Sequence, residues 1–496
     1  MAFVYTPRAP TAGVLYEVVR GHLTAFLATV AARTDGAGLP AFVTKEFRKF
    51  LGCGLLSRGF ARLRCGNCAF ERLIPFSCKG RAFCPSCGGR RMTERAAHLV
   101  DHVFPLDVPV RQWVLSVPHR LRYRLAYDHT LCRAVVRAWV RVLRAFYRRR
   151  ARQGGVAEGE TGMVTGVQRF GGAVNLHVHA HTLVLDGVFA LAADDTLAFH
   201  PAPPPTEAEL RRVVASVRRR IGRLLARRGL DLDADVADPL ADESLALAGL
   251  SQAAVRGRAA LGRRAGRGPE RLGADPDAPW VDRHGPLHAH DAGFDLHAGV
   301  TVAAGDRPRL ERLCCYVFRP PLGQHRLRRL GDGRIAVELQ RPWADGTTHL
   351  VFTPAELLER LATLVPRPRI NLLLYHGVLA PNARWRRTVV PPPAGEEAQG
   401  DAPSASLASA TASATETSAP PRRARPKYRA WADLMRRAFE ADVLACPRCG
   451  GRMVLLATIE DAAVITRILT HLGLSLDSGE PDPAHPPPEI DGDAGA

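Results

Sequence analysis

The sequence predicts an α+β fold, and three features of its 496 residues lead to this prediction. Short alternating runs typical of strands are interleaved with helical periodicity over residues 110–366. A stretch rich in cysteine and arginine at 53–92 precedes them, and a Pro-, Ala- and Ser-rich stretch at 391–427 follows. We therefore expect a metal-centred module, a core of helices around a mixed or antiparallel sheet, a linker and a small C-terminal module.

The charge and composition indicate a nucleic-acid partner inside the cell. Lys and Arg number 68 against 49 Asp and Glu, which gives a formal charge of +19. A cationic surplus of this size is typical of proteins that bind a polyanion. No apolar run approaches the roughly 18 to 20 residues of a membrane span, and MAFVYTPRAP does not resemble a secretion signal. We expect a cytoplasmic, nucleoid-associated protein with no membrane partner.

Shifts in composition divide the chain into six segments. A helical lead-in is predicted at 1–50, because apolar residues recur at helical spacing up to the break at Asp35-Gly36. The other predicted segments are a metal-binding domain at 51–105, a main domain at 106–390 with an insertion at about 190–290, a disordered linker at 391–427, a small CxxC-containing module at 428–475 and an acidic disordered tail at 476–496.

Four cysteines have the spacing of a structural zinc ribbon: Cys65-x2-Cys68-x15-Cys84-x2-Cys87. Four thiolates around one tetrahedral ion need two tight turns brought together by a short hairpin, and this spacing allows such a hairpin. The neighbouring cations Lys79 and Arg81 favour the thiolate form and offer a cationic face to phosphate. The sequence therefore predicts a zinc site formed by these four cysteines, with DNA-binding residues beside it.

The remaining cysteines are less informative. Cys53 and Cys78 are spare and could replace one ligand of the predicted ribbon. Cys446-x2-Cys449 is half of a zinc site, with His471 as the one plausible local addition. A degenerate knuckle, or one completed by a partner, is at least as good an interpretation of this pair as a complete site.

The main domain begins with an alternation of strands and a long helix. Residues 110–117 have the pattern of a buried strand, and a helix is predicted at about 128–150. Two further strands follow at 162–169 and 174–186. This order is typical of an α+β core around a mixed or antiparallel sheet.

The insertion at about 190–290 starts with a helix and then loses periodicity. Thr206 and Glu209 form a capping-box pattern ahead of that helix, whose polar face is almost entirely arginine. Beyond 230 the sequence becomes rich in Gly, Asp and Ala, so we expect part of it to be mobile. The core then resumes with a strand at 295–302, a helix at about 308–319, a hairpin of 334–340 and 347–352 around Asp345-Gly346, and a helix capped by Thr353.

Three histidines alternate along the predicted strand at 174–186. His177, His179 and His181 point to one face, while the apolar residues between them point to the other. Several imidazoles on one face of an otherwise apolar strand would be unpaired in a core unless a ligand binds them, and a divalent cation is that ligand. A rival pair, His288 and His290, lies between Gly and Pro residues that predict a loop, where alternation fixes no common face.

One tyrosine on the predicted helix at 308–319 is a candidate nucleophile. Helical spacing gives Tyr316 three arginine neighbours on the same side: Arg309, Arg312 and Arg319. Guanidinium groups lower the cost of ionising a phenol and bind phosphate. Attack by tyrosine exchanges one phosphodiester for another, so the strand can be rejoined later. Tyr123 and Tyr127 are a second possibility at i, i+4 spacing, and we interpret them as structural.

Several phrases of the sequence resemble known rolling-circle transposases. His179-Ala-His181 resembles the His-hydrophobic-His signature of HUH single-strand endonucleases, and Tyr316 is similar in position to their nucleophile. A longer series of motifs, in the same order, resembles transposases of the IS91 and common-region (ISCR) insertion-sequence family over most of residues 45–390: CGNCAFERLIPFSCKGRAFCPSCGGRRM, NLHVHAHTLVLDGVF, LHAGV, ERLCCYVFRPPL, RPWADGTTHLVFTPAELLERLATLVP and YHGVLAPNARWR.

The resemblance implies an HUH-endonuclease-like catalytic domain that nicks and rejoins single-stranded DNA at insertion-sequence ends. It implies that His179 and His181 hold Mg²⁺ or Mn²⁺, with His177 as the nearest third ligand and His297 as the alternative. It further implies that Tyr316 forms a 5′-phosphotyrosine and frees a 3′-OH that drives rolling-circle transposition. The implied partners are the DNA ends and the target, and the enzyme could act as an oligomer.

Some family members carry two tyrosines four residues apart, but Arg312 occupies the earlier position here, so the chain resembles a single-tyrosine subgroup.

Two alternative functions remain open from the sequence. A plasmid-type HUH replication initiator or relaxase would share the chemistry but rarely the zinc ribbon. A non-catalytic, zinc-containing DNA-binding protein would use the cysteines and arginines and leave the histidines structural.

Overall fold

The structure is a computed structural model that describes residues 9–230, 238–275, 285–390, 431–439 and 442–483. Its helices are α1 (Val14–Ala32), α2 (Ala41–Leu51), α3 (Pro85–His102), α4 (His119–Tyr127), α5 (His129–Gln153), α6 (Glu207–Ala226), α7 (Pro239–Glu243), α8 (Leu245–Val255), α9 (Arg307–Phe318), α10 (Pro354–Leu364), α11 (Arg386–Val389), α12 (Trp431–Phe439) and α13 (Ala462–His471). Its strands are β1 (Phe60–Cys65), β2 (Glu71–Pro75), β3 (Val110–Ser116), β4 (Gly162–Phe170), β5 (Leu176–Leu185), β6 (Gly187–Leu191), β7 (Leu197–Pro201), β8 (Glu270–Leu272), β9 (His288–Asp291), β10 (Phe294–Val302), β11 (Leu327–Arg329), β12 (Ile335–Glu338), β13 (His349–Phe352), β14 (Leu373–Gly377) and β15 (Met453–Ile459).

The predicted α+β architecture is confirmed, with antiparallel sheets flanked by helices. The largest sheet has six strands in the order β14-β4-β5-β3-β10-β9, and every neighbouring pair in it is antiparallel. The smaller sheets are β15-β1-β2, β11-β12-β13-β8 and β6-β7. The predicted strands at 110–117, 162–169 and 174–186 form the centre of the largest sheet.

Alternation along the central strand β5 divides the apolar core between the two faces of this sheet. On one face, Val178 and Ala180 pack into the cluster that contains α5. On the other face, Leu183 packs with apolar residues of α3 and α9. Because successive side chains of a strand point to opposite faces, the histidines of β5 lie on the face that α3 and α9 cover.

The N-terminal segment, predicted as a helical lead-in, contains helices α1 and α2. In the described part of the chain, α1 is the one helix whose length and hydropathy would suffice to cross a membrane. Its buried residues, including Leu15, Val19 and Leu23, belong to the main hydrophobic core, and the helix contacts α2 and α10. Core helices of folded proteins have the same composition, and these contacts fit that explanation.

The insertion at about 190–290 is more ordered than its sequence indicates. The predicted capping box of Thr206 and Glu209 is present at the start of α6. Beyond residue 230, where the sequence loses its periodicity, the chain forms α7 and α8, and α8 buries apolar residues and packs on α10. Alanine and leucine supply this packing without a clear helical stripe. Residues 231–237 and 276–284 lie outside the described residues.

The prediction of a loop at His288 and His290 is wrong, because both lie in strand β9. This strand pairs with β10 in a hairpin, and Ala292 and Gly293 take positive φ values at its turn. The Gly and Pro residues that predicted a loop mark the two ends of the strand instead. The two imidazoles stack at 6.4 Å between ring centroids, and His288 Nε2 lies 2.8 Å from Asp295 Oδ2.

The C-terminal segment is not the separate module that the sequence predicts. Strand β15 pairs with β1 and completes the sheet of the cysteine-rich domain. Part of the predicted disordered tail is also placed, because Arg20 on α1 binds Asp477 at 2.5 Å and Asp482 at 3.1 Å. Acidic tail residues thus have basic partners on the N-terminal domain. The linker at 391–427 and the tail from 484 onward lie outside the described residues.

Candidate active site and metal centres

The eight cysteines of the CxxC region and its surroundings form two four-cysteine groups, and this corrects the predicted ligand set. One group is Cys53, Cys78, Cys84 and Cys87, and the other is Cys65, Cys68, Cys446 and Cys449. The predicted ribbon of Cys65, Cys68, Cys84 and Cys87 is therefore wrong as a single site, although each of these cysteines belongs to one of the two groups.

The β1–β2 hairpin explains why the predicted pairs separate. Cys65 ends β1, so Cys65 and Cys68 lie at the tip of the hairpin, whereas Cys53 and Cys78 flank its base. A strand of six residues spans about 20 Å. Cys65 and Cys68 at the tip therefore need other cysteines to complete a site, and these are Cys446 and Cys449.

Both groups have the dimensions of a tetrahedral zinc site. The Sγ atoms of Cys78 and Cys87 are 3.4 Å apart, and those of Cys53 and Cys87 are 3.8 Å apart. In the second group, the Sγ atoms of Cys65 and Cys449 are 3.5 Å apart. Four thiolates at about 2.3 Å from one ion would be separated by about 3.8 Å. Each group therefore fits a Zn²⁺ ion.

Backbone N–H groups favour the thiolate form in the second group. The N–H groups of Cys68 and Asn67 lower the pKa of Cys65 to about 6, and the Asn67 nitrogen lies 3.4 Å from its sulfur. Thiolates are the form that binds zinc. The two groups differ in exposure, because Cys68 and Cys449 are exposed whereas three of the four cysteines around Cys53 are buried.

The histidines of β5 bring two imidazole nitrogens together. The Nε2 atoms of His179 and His181 are 3.0 Å apart. Two ligands at a right angle on an octahedral ion, each about 2.1 Å from it, would be about 3.0 Å apart. His179 Nδ1 lies 2.9 Å from the carbonyl oxygen of His177, which accepts its N–H and leaves Nε2 with a lone pair.

Gln112, on the neighbouring strand β3, is hydrogen-bonded to the imidazole of His181. Its amide nitrogen lies 2.8 Å from His181 Nδ1. In this orientation Nδ1 accepts the hydrogen bond, and His181 Nε2 carries the proton. Rotating the amide by half a turn would let its oxygen accept from Nδ1–H and free Nε2 for a metal, and an amide oxygen and nitrogen occupy nearly the same space.

Burial keeps these imidazoles neutral, which is the form that binds metal ions. Burial lowers the pKa of His179 to about 4, and it lowers the pKa of His181 well below its ordinary value. The same cause lowers the pKa of His177 to about 2. At neutral pH all three rings therefore offer lone pairs.

A third ligand does not follow from the histidines alone. Among the described residues, the groups of three or more Cys, His, Asp or Glu that could hold an ion are the two cysteine groups. His177 Nε2 is buried without a hydrogen-bond partner in the described part of the chain. His297 pairs with Val114, which in turn pairs with His181, so its backbone is two strands, or about 10 Å, from His181.

Gln168 on β4 is a further oxygen donor beside the histidines. It lies opposite His179 in the β4–β5 pair, and its Oε1 is buried without a hydrogen-bond partner among the described residues. Its Nε2 donates to the carbonyl oxygen of Val317 at 2.6 Å. An amide oxygen is a hard ligand of the kind that Mg²⁺ and Mn²⁺ accept.

Tyr316 lies on the histidine face of the sheet. Its ring is perpendicular to that of His181, with 5.7 Å between the centroids, and 46% of the residue is exposed. The guanidinium of Arg319 lies over the tyrosine ring at 4.0 Å, and it donates to the Tyr316 carbonyl oxygen. A phenol on the protein surface is thus held between a cation and the histidine pair.

Helix α9 approaches β4 closely because position 166 is glycine. A Cβ at Gly166 would lie 2.9 Å from Val317 and 3.0 Å from Phe318, which is too close without a shift of the helix. The contacts of Gln168 with the end of α9 lie beside this position. The lack of a side chain at Gly166 lets α9 approach the sheet, and the hydrogen bonds of the Gln168 amide hold its end. Together they determine the position of Tyr316.

The predicted DNA-binding residues fall into two places. Arg309 and Arg312 are exposed on α9, and Arg319 is half-buried at its end. Lys79 is exposed in the cysteine-rich domain. Arg81 is exposed there too, but its guanidinium donates to the carbonyl oxygen of Ile370 at 2.6 Å, so it also ties this domain to the loop before β14.

The alternative tyrosines, which we interpreted as structural, are hydrogen-bonded within the fold. Tyr127 is buried, its hydroxyl lies 2.9 Å from Ser251 Oγ, and it donates to the Thr363 carbonyl oxygen. Tyr123 donates to Asp238 at 2.7 Å. Burial raises the pKa of both phenols, which disfavours the phenolate.

Sequence reasoning missed the two glutamines of this site. Gln112 and Gln168 are polar residues on two of the predicted strands, and both are buried in the structure. Pairing their strands with the histidine strand in register would have indicated their place. The sequence alone did not fix that register.

Comparison with known proteins matches two family models to this chain. The model described as "Transposase zinc-binding domain", of the IS91 type, matches residues 19–117. The model described as "Putative transposase" matches residues 162–387, which include β4, β5 and α9. No curated protein and no solved structure matches the chain significantly.

Proposed function

We propose that this chain, a transposase with an IS91-type zinc-binding domain and structural zinc, nicks and rejoins single-stranded DNA through a covalent bond to Tyr316. The substrate would be the ends of an insertion sequence, and the reaction would drive rolling-circle transposition in the cytoplasm. The observation that carries the proposal is the contact between the His181 and Tyr316 rings on one face of the sheet.

His179 and His181 would hold Mg²⁺ or Mn²⁺ through their Nε2 atoms, with Gln168 or His177 as a further donor. When bound, the ion would polarise the scissile phosphate and stabilise the charge that develops on its oxygens. Gln112 would orient His181, and the His177 carbonyl would orient His179.

Tyr316 would supply the nucleophile. Its Oη would attack the phosphorus, forming an O–P bond while the bond from phosphorus to the 3′ oxygen breaks. The phenolic proton would pass to solvent, which reaches this exposed ring, and the leaving 3′ oxygen would gain a proton. Arg319, stacked on the ring, supports the negative charge of the attacked phosphate. Attack by a 3′-OH on the phosphotyrosine would rejoin the strand.

We further propose that the chain belongs to the single-tyrosine subgroup and to the common-region type of this family. Position 312, four residues before Tyr316, is arginine. Tyr123 and Tyr127, the other tyrosines that the sequence offered, are bound in hydrogen bonds within the fold. One phenol would then serve both ends of the element, in succession or in two copies of the chain.

A covalent-adduct assay tests the proposal. Purified protein, Mn²⁺ and 5′- and 3′-labelled single-stranded DNA carrying an element end should give a denaturation-resistant adduct that contains the 3′-labelled fragment, while the 5′-labelled fragment is released with a 3′-OH. We expect Tyr316→Phe to abolish the adduct and Tyr123→Phe, as a matched control, to retain it. An adduct that persists in Tyr316→Phe would move the nucleophile elsewhere. No adduct from the wild type on any end sequence would favour a non-catalytic DNA-binding protein.

A further inference from the structure

The C-terminal segment, residues 431–439 and 442–483, attaches to the N-terminal domain at several points. Cys446 and Cys449 complete the second cysteine group with Cys65 and Cys68. Directly after this knuckle, β15 pairs with β1 along its length. These cysteines lie far beyond residues 19–117, which the zinc-binding family model covers. The C-terminal segment is thus part of the zinc domain, although the sheet domain separates the two in sequence.

The same segment reaches the helix that carries Tyr316. Arg437 on α12 binds the Asp101 carboxylate on α3 at 2.6 and 3.0 Å, and the Glu311 carboxylate on α9 with two contacts of 2.8 Å. Both carboxylates and the guanidinium are about three-quarters buried. A planar guanidinium that forks onto two carboxylates fixes their relative positions more strictly than a lone ion pair does.

Removing Arg437 would affect α9 directly. Helices α3 and α9 pack on each other across the histidine face, and Glu311 is five residues before Tyr316 on the same helix. Without Arg437, Asp101 and Glu311 would be two carboxylates, each about three-quarters buried, that repel each other with no guanidinium between them. That repulsion acts between the two helices that cover the candidate metal site.

Arg437 is close in sequence to the second cysteine group, because Cys446 follows it by nine residues. Of the two groups, this one has two exposed cysteines, so its metal is the easier to remove. Arg436, next to Arg437, is exposed and binds Asp442 instead. The neighbouring arginine therefore offers a matched control on the same helix.

We propose that the C-terminal segment is a positioning element for the nucleophile: zinc held by Cys65, Cys68, Cys446 and Cys449 clasps the segment to the N-terminal domain, and Arg437 then fixes α9 against α3. The part about catalysis rests on the proposed role of Tyr316. The clasp itself and its effect on α9 do not depend on that role, so they can be tested separately.

The first test compares Arg437→Gln with Arg436→Gln in the full chain. We expect Arg437→Gln to lower the rate of adduct formation at saturating DNA by about 10- to 100-fold, the effect of a small displacement of a reacting group. DNA affinity and zinc content should stay unchanged, and Arg436→Gln should behave as wild type. An Arg437→Gln rate equal to that of wild type would overturn the positioning role.

The second test measures the clasp without reference to activity. We expect wild-type protein to contain two zinc ions per chain, and Cys449→Ser to contain one. Hydrogen exchange of the Cys449→Ser and Arg437→Gln variants should rise in α9, while exchange in the central strand β5 stays slow. Unchanged exchange in α9 of both variants, or one zinc per wild-type chain, would overturn the proposal. If wild type forms no adduct but exchange rises as expected, the proposed function fails and the clasp stands.

Discussion

Two glutamines at the histidine strand act on the site through their amide groups. Gln112 can present either its nitrogen or its oxygen to His181 Nδ1, and only the oxygen leaves Nε2 free for an ion. Gln168 joins β4 to the end of α9 through its nitrogen, while its oxygen faces the same buried region. Gln112 thus ties β3 to His181, and Gln168 ties β4 to α9.

Replacing Gln112 by leucine should weaken metal binding. The change removes the group that fixes the tautomer of His181, and loss of such an outer partner typically costs about 10- to 100-fold in metal affinity. Titration of Mn²⁺ by isothermal calorimetry checks this, with Gln252→Leu, an exposed position on helix α8, as the control. Equal Mn²⁺ affinity in Gln112→Leu and wild type would exclude the proposed orienting role.

At the scale of elements, much of the fold could be predicted from local patterns. Strict alternation predicted β5, and capping boxes predicted the starts of α6 and α10, because both signals depend on residues within one turn or strand. The pairing of the cysteines could not be predicted in this way. Cys68 and Cys446 are 378 residues apart, and no local pattern reports such a contact.

The approach of α9 to the sheet depends on Gly166, and Gly166→Ala tests it. The added methyl group would meet Val317 and Phe318 at about 3 Å, so the helix must shift. We expect a loss of about 1 to 3 kcal/mol in the free energy of unfolding. Urea denaturation measures this, and Gly172→Ala, which adds a methyl group in open space, is the control. Equal stability of the two variants would show that α9 accommodates the methyl group freely.

At the scale of the whole molecule, the zinc domain and the domain of the six-stranded sheet meet at the histidine face of that sheet. Helix α3 starts at the first cysteine group and ends on the histidine face beside α9, and the C-terminal segment joins both. The sequence indicated the zinc domain, the core domain and the small module as separate units. It could not indicate that the module returns to the first domain, because the contacts are made by side chains far apart in sequence.

The charge of the whole molecule predicts strongly salt-dependent DNA binding. Exposed arginines on α6 and α9, together with the net charge of +19, should neutralise several backbone phosphates. A protein with six such contacts to a single strand loses about 300-fold in affinity between roughly 50 and 200 mM salt. Fluorescence anisotropy with a labelled single strand over this range gives the slope. Affinity that stays flat would contradict the assignment of these surfaces to DNA.

The central claim is that an ion held by His179 and His181 lies beside the phenol of Tyr316. Fluorine NMR of protein containing 3-fluorotyrosine measures this directly, with the Tyr316 signal assigned from the Tyr316→Phe variant. We predict that Mn²⁺ broadens the Tyr316 signal beyond detection, leaves the signal of Tyr16 on α1 sharp, and loses this effect in a His179→Ala, His181→Ala double variant. A Tyr316 signal that remains sharp at saturating Mn²⁺ would contradict the account.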